Sequence, residues 1–261
     1  MALRGGITAY ENDYFPGKKM NFDTDSLPWE ELPLFLDRTQ LLCEKLCSMS
    51  YAELKKLWKC NDKIAELNTE RLKNMDLRSN LTPAVLSYEG IQYQYMAPGV
   101  FSREELDYVK EHLRILSGFY GLLRPFDGVR PYRLEMQAKL AMGQAKDLYA
   151  FWGDSLAAAL FSETDCVINL ASKEYSLCIT RFVPAGARLI TCVFGEQQAG
   201  KIVEKGTMCK MARGEMVRYM AENQIENPAE LRQFDRLNYR YSAECSDEKT
   251  FVFLRECSGN Q

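Results

Sequence analysis

The residues best suited to chemistry lie in one central run that holds His112, Arg114, Ser117-Gly118-Phe119-Tyr120-Gly121, Arg124 and Asp127. Two glycines three apart between apolar stretches mark a tight turn. Backbone N–H groups at a helix N-terminus beyond such a turn can hold an anion. Read as a helix ending near Ser117 and Gly118, a hairpin and a following apolar segment, the run has the outline of a helix-hairpin-helix. That device grips a nucleic-acid phosphate without reading bases. The usual hairpin is Gly-x-Gly and this one is Gly-x-x-Gly, so a tight turn with packed aromatics accounts for the same residues.

Basic side chains gather just downstream: Arg124, Arg130, Arg133 and Lys139, with Tyr132 among them and Asp127 and Glu135 as the acids. Lys173, Lys210, Arg213 and Arg218 follow, and Lys210 and Arg213 are three apart on one helical face. Such cations suit a DNA backbone or a phosphorylated small molecule. Singly, each also serves as surface charge or as half of an ion pair.

Enzyme signatures are incomplete. The chain has neither Gly-x-x-x-x-Gly-Lys-[Ser/Thr] nor Gly-x-Gly-x-x-Gly. His112 is the only histidine, so a Ser-His-Asp or Cys-His device would have to be built on it. Asp147 and Asp154, seven apart on an expected helix, could supply an acid, with no indicated substrate. Cys43 and Cys47 are one turn apart, but no second pair of metal ligands stands ready. Neither a metal nor another cofactor is expected. Nine cysteines without Cys-x-x-Cys read as reduced, packed thiols and place the chain in the cytoplasm. No apolar run reaches the ~20 residues of a membrane span. The net charge of −3 opposes a nucleic-acid partner on average, and only a local basic cleft reconciles the two.

The elements that must position these residues are interleaved. Ser26 to Glu31 reads as a helix start, with Leu34, Leu41, Leu42, Leu46 and Met49 at helical spacing after it. Ser50 and Glu53 resemble a capping box, as do Ser102 and Glu105. Asn61 or Asp62 caps a third helix with Ile64, Leu67 and Leu72 on one face. Thr82-Pro83 opens a short helix. The helix from Ser102 continues through Leu113 and Leu116. Another spans Lys146 to Leu160, and Asp165 to Leu170 is a buried strand. Arg188 to Phe194 and Lys201 to Glu204 form a hairpin. Met208 to Asn223 is a helix, Asn227-Pro228 starts another, and Tyr239 to Ala243 pairs with Thr250 to Leu254. The expected class is α+β: one compact domain, a mixed β-sheet surrounded by helices, not doubly wound.

The run Leu113-Arg114-Ile115-Leu116-Ser117-Gly118-Phe119-Tyr120-Gly121-Leu122-Leu123-Arg124-Pro125-Phe126-Asp127 resembles the central signature of the YaaA peroxide-stress family. Pro131 to Met136, Leu148 to Asp154, Val167 to Tyr175 and Lys210 to Arg218 resemble further family blocks, in the family's order. The resemblance implies a bacterial protein of the hydrogen-peroxide response, linked to limiting damage from intracellular iron. It implies a single α+β domain with a helix-hairpin-helix element and a positively charged cleft that binds DNA, and no established enzymatic activity. Arg114, Arg124, Arg130, Arg133, Lys173, Lys210 and Arg213 are its candidates for the cleft, beside Ser117, Gly118 and Gly121 of the hairpin. The alternative is an enzyme that binds an anionic, phosphorylated small molecule in the same cleft.

One block departs from the family. Members begin with an apolar strand running into Ser-Pro-Ala-Lys. Here Phe15-Pro16-Gly17-Lys18-Lys19-Met20 matches only its end, and residues 9–14 are polar and acidic. Residues 1–15 are therefore expected to be divergent or extraneous to the native chain, with the strand missing or replaced, and residues 16–257 to form the domain. Lys18 and Lys19 join the candidate DNA contacts.

Overall fold

The computed structural model describes residues 5–9, 19–23 and 26–256, with side chains described for 20–23 and 26–256. Two short strands come first, β1 (Gly5–Ala9) and β2 (Lys19–Met20). Three helices follow: α1 (Leu36–Cys47), α2 (Tyr51–Trp58) and α3 (Asp62–Lys73). Ser50 and Glu53 close a capping box on α2, and Asn61 accepts from Ile64 N to cap α3. No helix forms over 26–31; the first one starts at Leu36, where the chain can bury Leu36, Leu42, Cys43 and Leu46 while Leu34 and Leu41 stay exposed. On α3 the buried row is Ala65, Asn68 and Leu72, and Leu67 faces out.

A compact connection follows: β3 (Thr82–Pro83), α4 (Ala84–Ser87), β4 (Tyr88–Glu89) and α5 (Ile91–Met96). Helix α6 (Arg103–His112) carries the second capping box, Ser102 with Glu105. It stops at His112 rather than continuing to Ser117. Residues beyond it form β5 (Leu113–Ser117), a turn, β6 (Gly121–Leu123) and then β7 (Gly128–Val129). The expected single helix over 146–160 is two, α7 (Leu148–Trp152) and α8 (Ser155–Glu163), broken at Gly153 with φ of 56°.

The remaining elements are β8 (Cys166–Leu170), α9 (Lys173–Thr180), β9 (Arg188–Gln198), β10 (Lys201–Val203), α10 (Gly206–Glu222), β11 (Tyr239–Tyr241) and β12 (Thr250–Arg255). Residues 228–233 form a 3₁₀ helix with Pro228 at its start.

The main sheet runs β11-β12-β9-β8-β1-β5-β6, with β10 paired to β9. Strands β12, β9, β8, β1 and β5 are mutually parallel, while β11, β6 and β10 are antiparallel to their neighbours. The sheet is thus mixed, and both expected hairpins, β9 with β10 and β11 with β12, are present. Strand β8 is buried throughout, the usual state of a parallel strand covered on both faces.

Strand β1 lies within residues 1–15, where the family's first strand was expected to be missing or replaced. Gly5–Ala9 lies in the middle of the sheet, pairing with β8 over all five residues and with β5 over three. A strand therefore fills the place where a missing one would have left two sheet edges bare. Its brevity and its two leading glycines hid it, because periodicity over five residues carries little signal.

Candidate functional site

Strand β1 lies between β5 and β8, so the chain leaves it toward β5 and later returns to its other side. Ala9 is in register with Ile115 on one side and Leu170 on the other. Such a switch point, outside the carboxyl ends of parallel strands, is where open sheets tend to bind ligands. Two segments converge there: the β5–β6 turn, and residues 171–174 leading into α9.

The turn is the one expected to belong to a helix-hairpin-helix. Instead Ile115, Leu116 and Ser117 pair antiparallel with Leu123, Leu122 and Gly121, making a β-hairpin. The spacing Val109, Leu113, Leu116 fits a helix, but Leu113, Ile115 and Leu116 are all buried in a sheet whose inner strands are covered on both faces. Ser117, Gly118 and Gly121 are buried too. The turn's N–H groups are already used, since Phe119 N and Tyr120 N both donate to Ser117 Oγ at 3.2 and 2.8 Å. Its glycines answer to packing. A Cβ on Gly118 would lie 2.5 Å from Leu134 O, and one on Gly121 would meet Trp152 at 2.8 Å with φ already at +78°. The turn is a scaffold on which residues 131–136 lie.

That segment carries Tyr132 and Arg133. Ser117 Oγ and Tyr132 OH are 2.6 Å apart, and Tyr132 OH is 3.1 Å from Tyr88 OH. Tyr132 stacks on Phe119 with centroids 4.9 Å apart. Its backbone N–H donates to Met20 Sδ, next to Lys19 in β2. Arg133 is 6% exposed. Its Nη2 donates to Trp58 O at 3.3 Å and lies 3.5 Å from Glu135 Oε1. Among the described residues its Nε and Nη1 have no partner, and neither do Trp58 Nε1 and Asn68 Oδ1. Arg133, Trp58 and Asn68 line one small cavity of about 10 Å³ together with Leu46, Leu72, Met75, Phe119 and Tyr132. Each buried N–H without a partner costs about 1–3 kcal/mol.

Across the crest, Ser172 caps α9 by position only. Its Oγ makes no cap bond and has no partner among the described residues, and the residue is 1% exposed. Lys173, the first helical residue, is exposed and has no ion-pair partner among the described residues. Gln137 N donates to Glu174 Oε1 at 3.0 Å and joins the Arg133 segment to this helix. Below it, Asn169 Oδ1 accepts from Ala171 N and Ser176 Oγ, fixing the loop.

The other candidates are spread out. Arg114 turns toward the amino end of β8: it pairs with Glu163 at 2.5 Å and donates to the carbonyls of Lys110, Glu111 and Leu113. Arg124 pairs with Glu31 and with Asp127, the latter at 3.0 Å. Burial pushes Asp127 up to about 6, against the pull of Arg124. Arg130 donates to Asn80 O at 3.1 Å and sits over the Phe22 ring. Arg213 is buried against Glu204 at 3.0 Å. Lys210 is half-buried, without an ion pair among the described residues. Lys19 lies in β2, opposite Glu89. Lys18 lies outside the described residues.

His112 is buried at the end of α6, 3.5 Å from Glu226 and against Tyr108. Asp147 caps α7 by accepting from Ala150 N. Burial, then its neighbour Cys47, raises Cys43 to about 12. Trp58, Asn68 and Ser172 were not singled out by sequence. The one available signal was Asn68, a polar residue in the apolar row of α3.

Among the described residues, no helix is long and apolar enough to cross a membrane. The family model described as "Peroxide stress protein YaaA" matches residues 15–245. The chain is 55% identical to a UPF0246 protein of Lachnoclostridium phytofermentans, over 92% of this chain and 94% of the relative. It is 55% identical to one of Agathobacter rectalis over 92% and 97%, and 50% identical to one of Pediococcus pentosaceus over 92% and 96%.

Proposed function

Because this chain belongs to the peroxide stress protein YaaA family, we propose that it protects the cell from iron-dependent oxidative damage by binding DNA at the carboxyl-end crest of its sheet. The reading is supported above all by Lys173. It is an exposed cation without an ion-pair partner among the described residues, on the first turn of α9, where the helix dipole also favours an anion. Lys19 lies on a neighbouring segment, in β2 next to Met20, whose sulfur accepts from Tyr132 N. The contacts are to backbone phosphate, since no helix stands out from the surface as a groove reader. The paired arginines Arg114, Arg124 and Arg213 and the buried Arg133 serve the fold in this reading, and the β-hairpin positions residues 131–136.

Fluorescence anisotropy with single-stranded, duplex and bulged DNA at several salt concentrations tests it. Each lost phosphate contact lowers the salt slope by about 0.9 on duplex. Lys173→Glu should therefore weaken binding and flatten the slope by roughly that amount, while Arg218→Gln on α10, whose side chain pairs with Glu222, should leave both unchanged. Absence of binding to any form at low salt would refute the reading.

A further inference from the structure

The antiparallel ribbon of β9 and β10 leaves the sheet at the same edge as Lys173. The last pair of β8 with β9 is Asn169 with Thr191, and the last pair of β12 with β9 is Leu254 with Gly195. Strand β9 runs on to Gln198, and from Glu196 its strand partner is β10 alone among the described residues. At ~3.3 Å per residue, Gln198 lies roughly 20 Å past the level of Asn169. Residues 197–203 are all exposed, Ile202 and Val203 at 38% each. Ala199 and Gly200 join Gln198 to its partner Lys201 with φ of 48° and 76°, as in a type I′ hairpin. Neither carries a side chain beyond Cβ, so the tip stays narrow.

Charge marks the partner. Residues 197–203 hold Lys201 and no carboxylate. Both acids at the base of the ribbon are covered by cations. Glu196, 3% exposed, lies between Lys205 at 2.5 Å and Arg255 at 3.6 Å, and Glu204 pairs with Arg213. The ribbon is thus cationic on a chain whose net charge is −3. One of its faces pairs Gln197 with Ile202 above Gly195, where an added Cβ would meet Ile202 Cγ2 at 2.5 Å. That face presents an amide and an apolar surface, without charge.

We propose that the β9–β10 ribbon enters the major groove of duplex DNA while Lys173 holds the flanking backbone. The groove is about 12 Å wide and admits a two-stranded ribbon. The Gln197 amide matches N6 and N7 of adenine, and Ile202 matches the methyl of thymine. Lys201 meets a phosphate, which positions the ribbon without reading sequence. The proposal rests on the DNA reading and adds to it the element that enters and the groove it occupies, hence a duplex in preference to a single strand.

The experiment measures anisotropy of the full-length protein on duplex and single-stranded DNA. Dimethyl sulfate footprinting accompanies it, because guanine N7 opens onto the major groove. The native protein should prefer duplex and shield guanine N7. Gln197→Ala, at an exposed position, should weaken duplex binding about tenfold, as one lost base-edge contact warrants. It should leave single-strand binding and the melting temperature unchanged. Lys201→Ala should lower the duplex salt slope by about 0.9. Native duplex affinity and slope in both variants, with Lys173→Glu still weakened, would overturn the ribbon and leave the DNA reading standing. So would binding confined to single strands, or guanine N7 left open on a duplex that the protein holds. Absence of binding to any DNA at low salt would overturn both.

Discussion

Gly214→Ala sets two physical effects of opposite sign against each other. Gly214 lies in the middle of α10, where Ala is favoured by about 1 kcal/mol on helix propensity. The structure places a Cβ there 2.0 Å from Gln92 O, 2.9 Å from Gln92 C and 3.0 Å from Met96 N. All three are backbone atoms of α5, so no side chain can rotate aside. The helices must part by about 1 Å to reach even the closest approach a real Cβ makes, and overpacking of this kind costs about 1–3 kcal/mol or more. A clash this deep belongs at the upper end, about 3 kcal/mol, which leaves a net loss of about 2 kcal/mol after the propensity gain. For a chain of this size that is a fall in Tm of about 4–8 °C. Urea unfolding followed by tryptophan fluorescence gives the free energy. Gly206→Ala is the control: it is the first residue of the same helix, with nothing within 4 Å of the added carbon, and should change stability by less than about 0.5 kcal/mol. If Gly214→Ala proves as stable as the native chain, the close packing of α5 on α10 is wrong.

Two further outcomes follow from burial. The folded state holds the Asp127 proton up to about pH 6, above the value of a free carboxyl group. The stability this contributes is full in acid and lost as pH rises through 6. Stability should therefore rise by roughly 1 kcal/mol from pH 7 to pH 5, and Asp127→Asn should flatten that slope; an equal slope in both proteins would refute it. Thiol titration should find Cys47 fast, Cys60 and Cys245 slower, and Cys43, Cys166, Cys178, Cys192 and Cys209 silent until unfolding. Burial also raises Cys178 and Cys192 to about 12, so their thiolates are scarce at neutral pH. Prompt labelling of Cys178 or Cys192 in native protein would contradict the core described here.

Local chemistry was legible from sequence wherever it acts over a few residues. The Ser50–Glu53 and Ser102–Glu105 capping boxes, the Asn61 cap and both late hairpins need only neighbours along the chain. The blocks that resemble the family were legible for the same reason, since each is a contiguous string. What tertiary structure alone decided is where those strings meet. Leu113 to Ser117 is apolar at helical spacing, and only the vacancy beside β1 makes it a strand. Gly118-Phe119-Tyr120-Gly121 looks like a phosphate-binding turn until Leu134 O and Trp152 are seen to occupy the space a side chain would need. Composition cannot tell a solvated arginine from one committed to Glu163, Glu31 or Glu204, because those partners lie far off in sequence or across a turn. Nor can it tell that Arg133 is buried with spare donors. An unsatisfied group is defined by the absence of a neighbour, and absence in space leaves no mark on the order of residues.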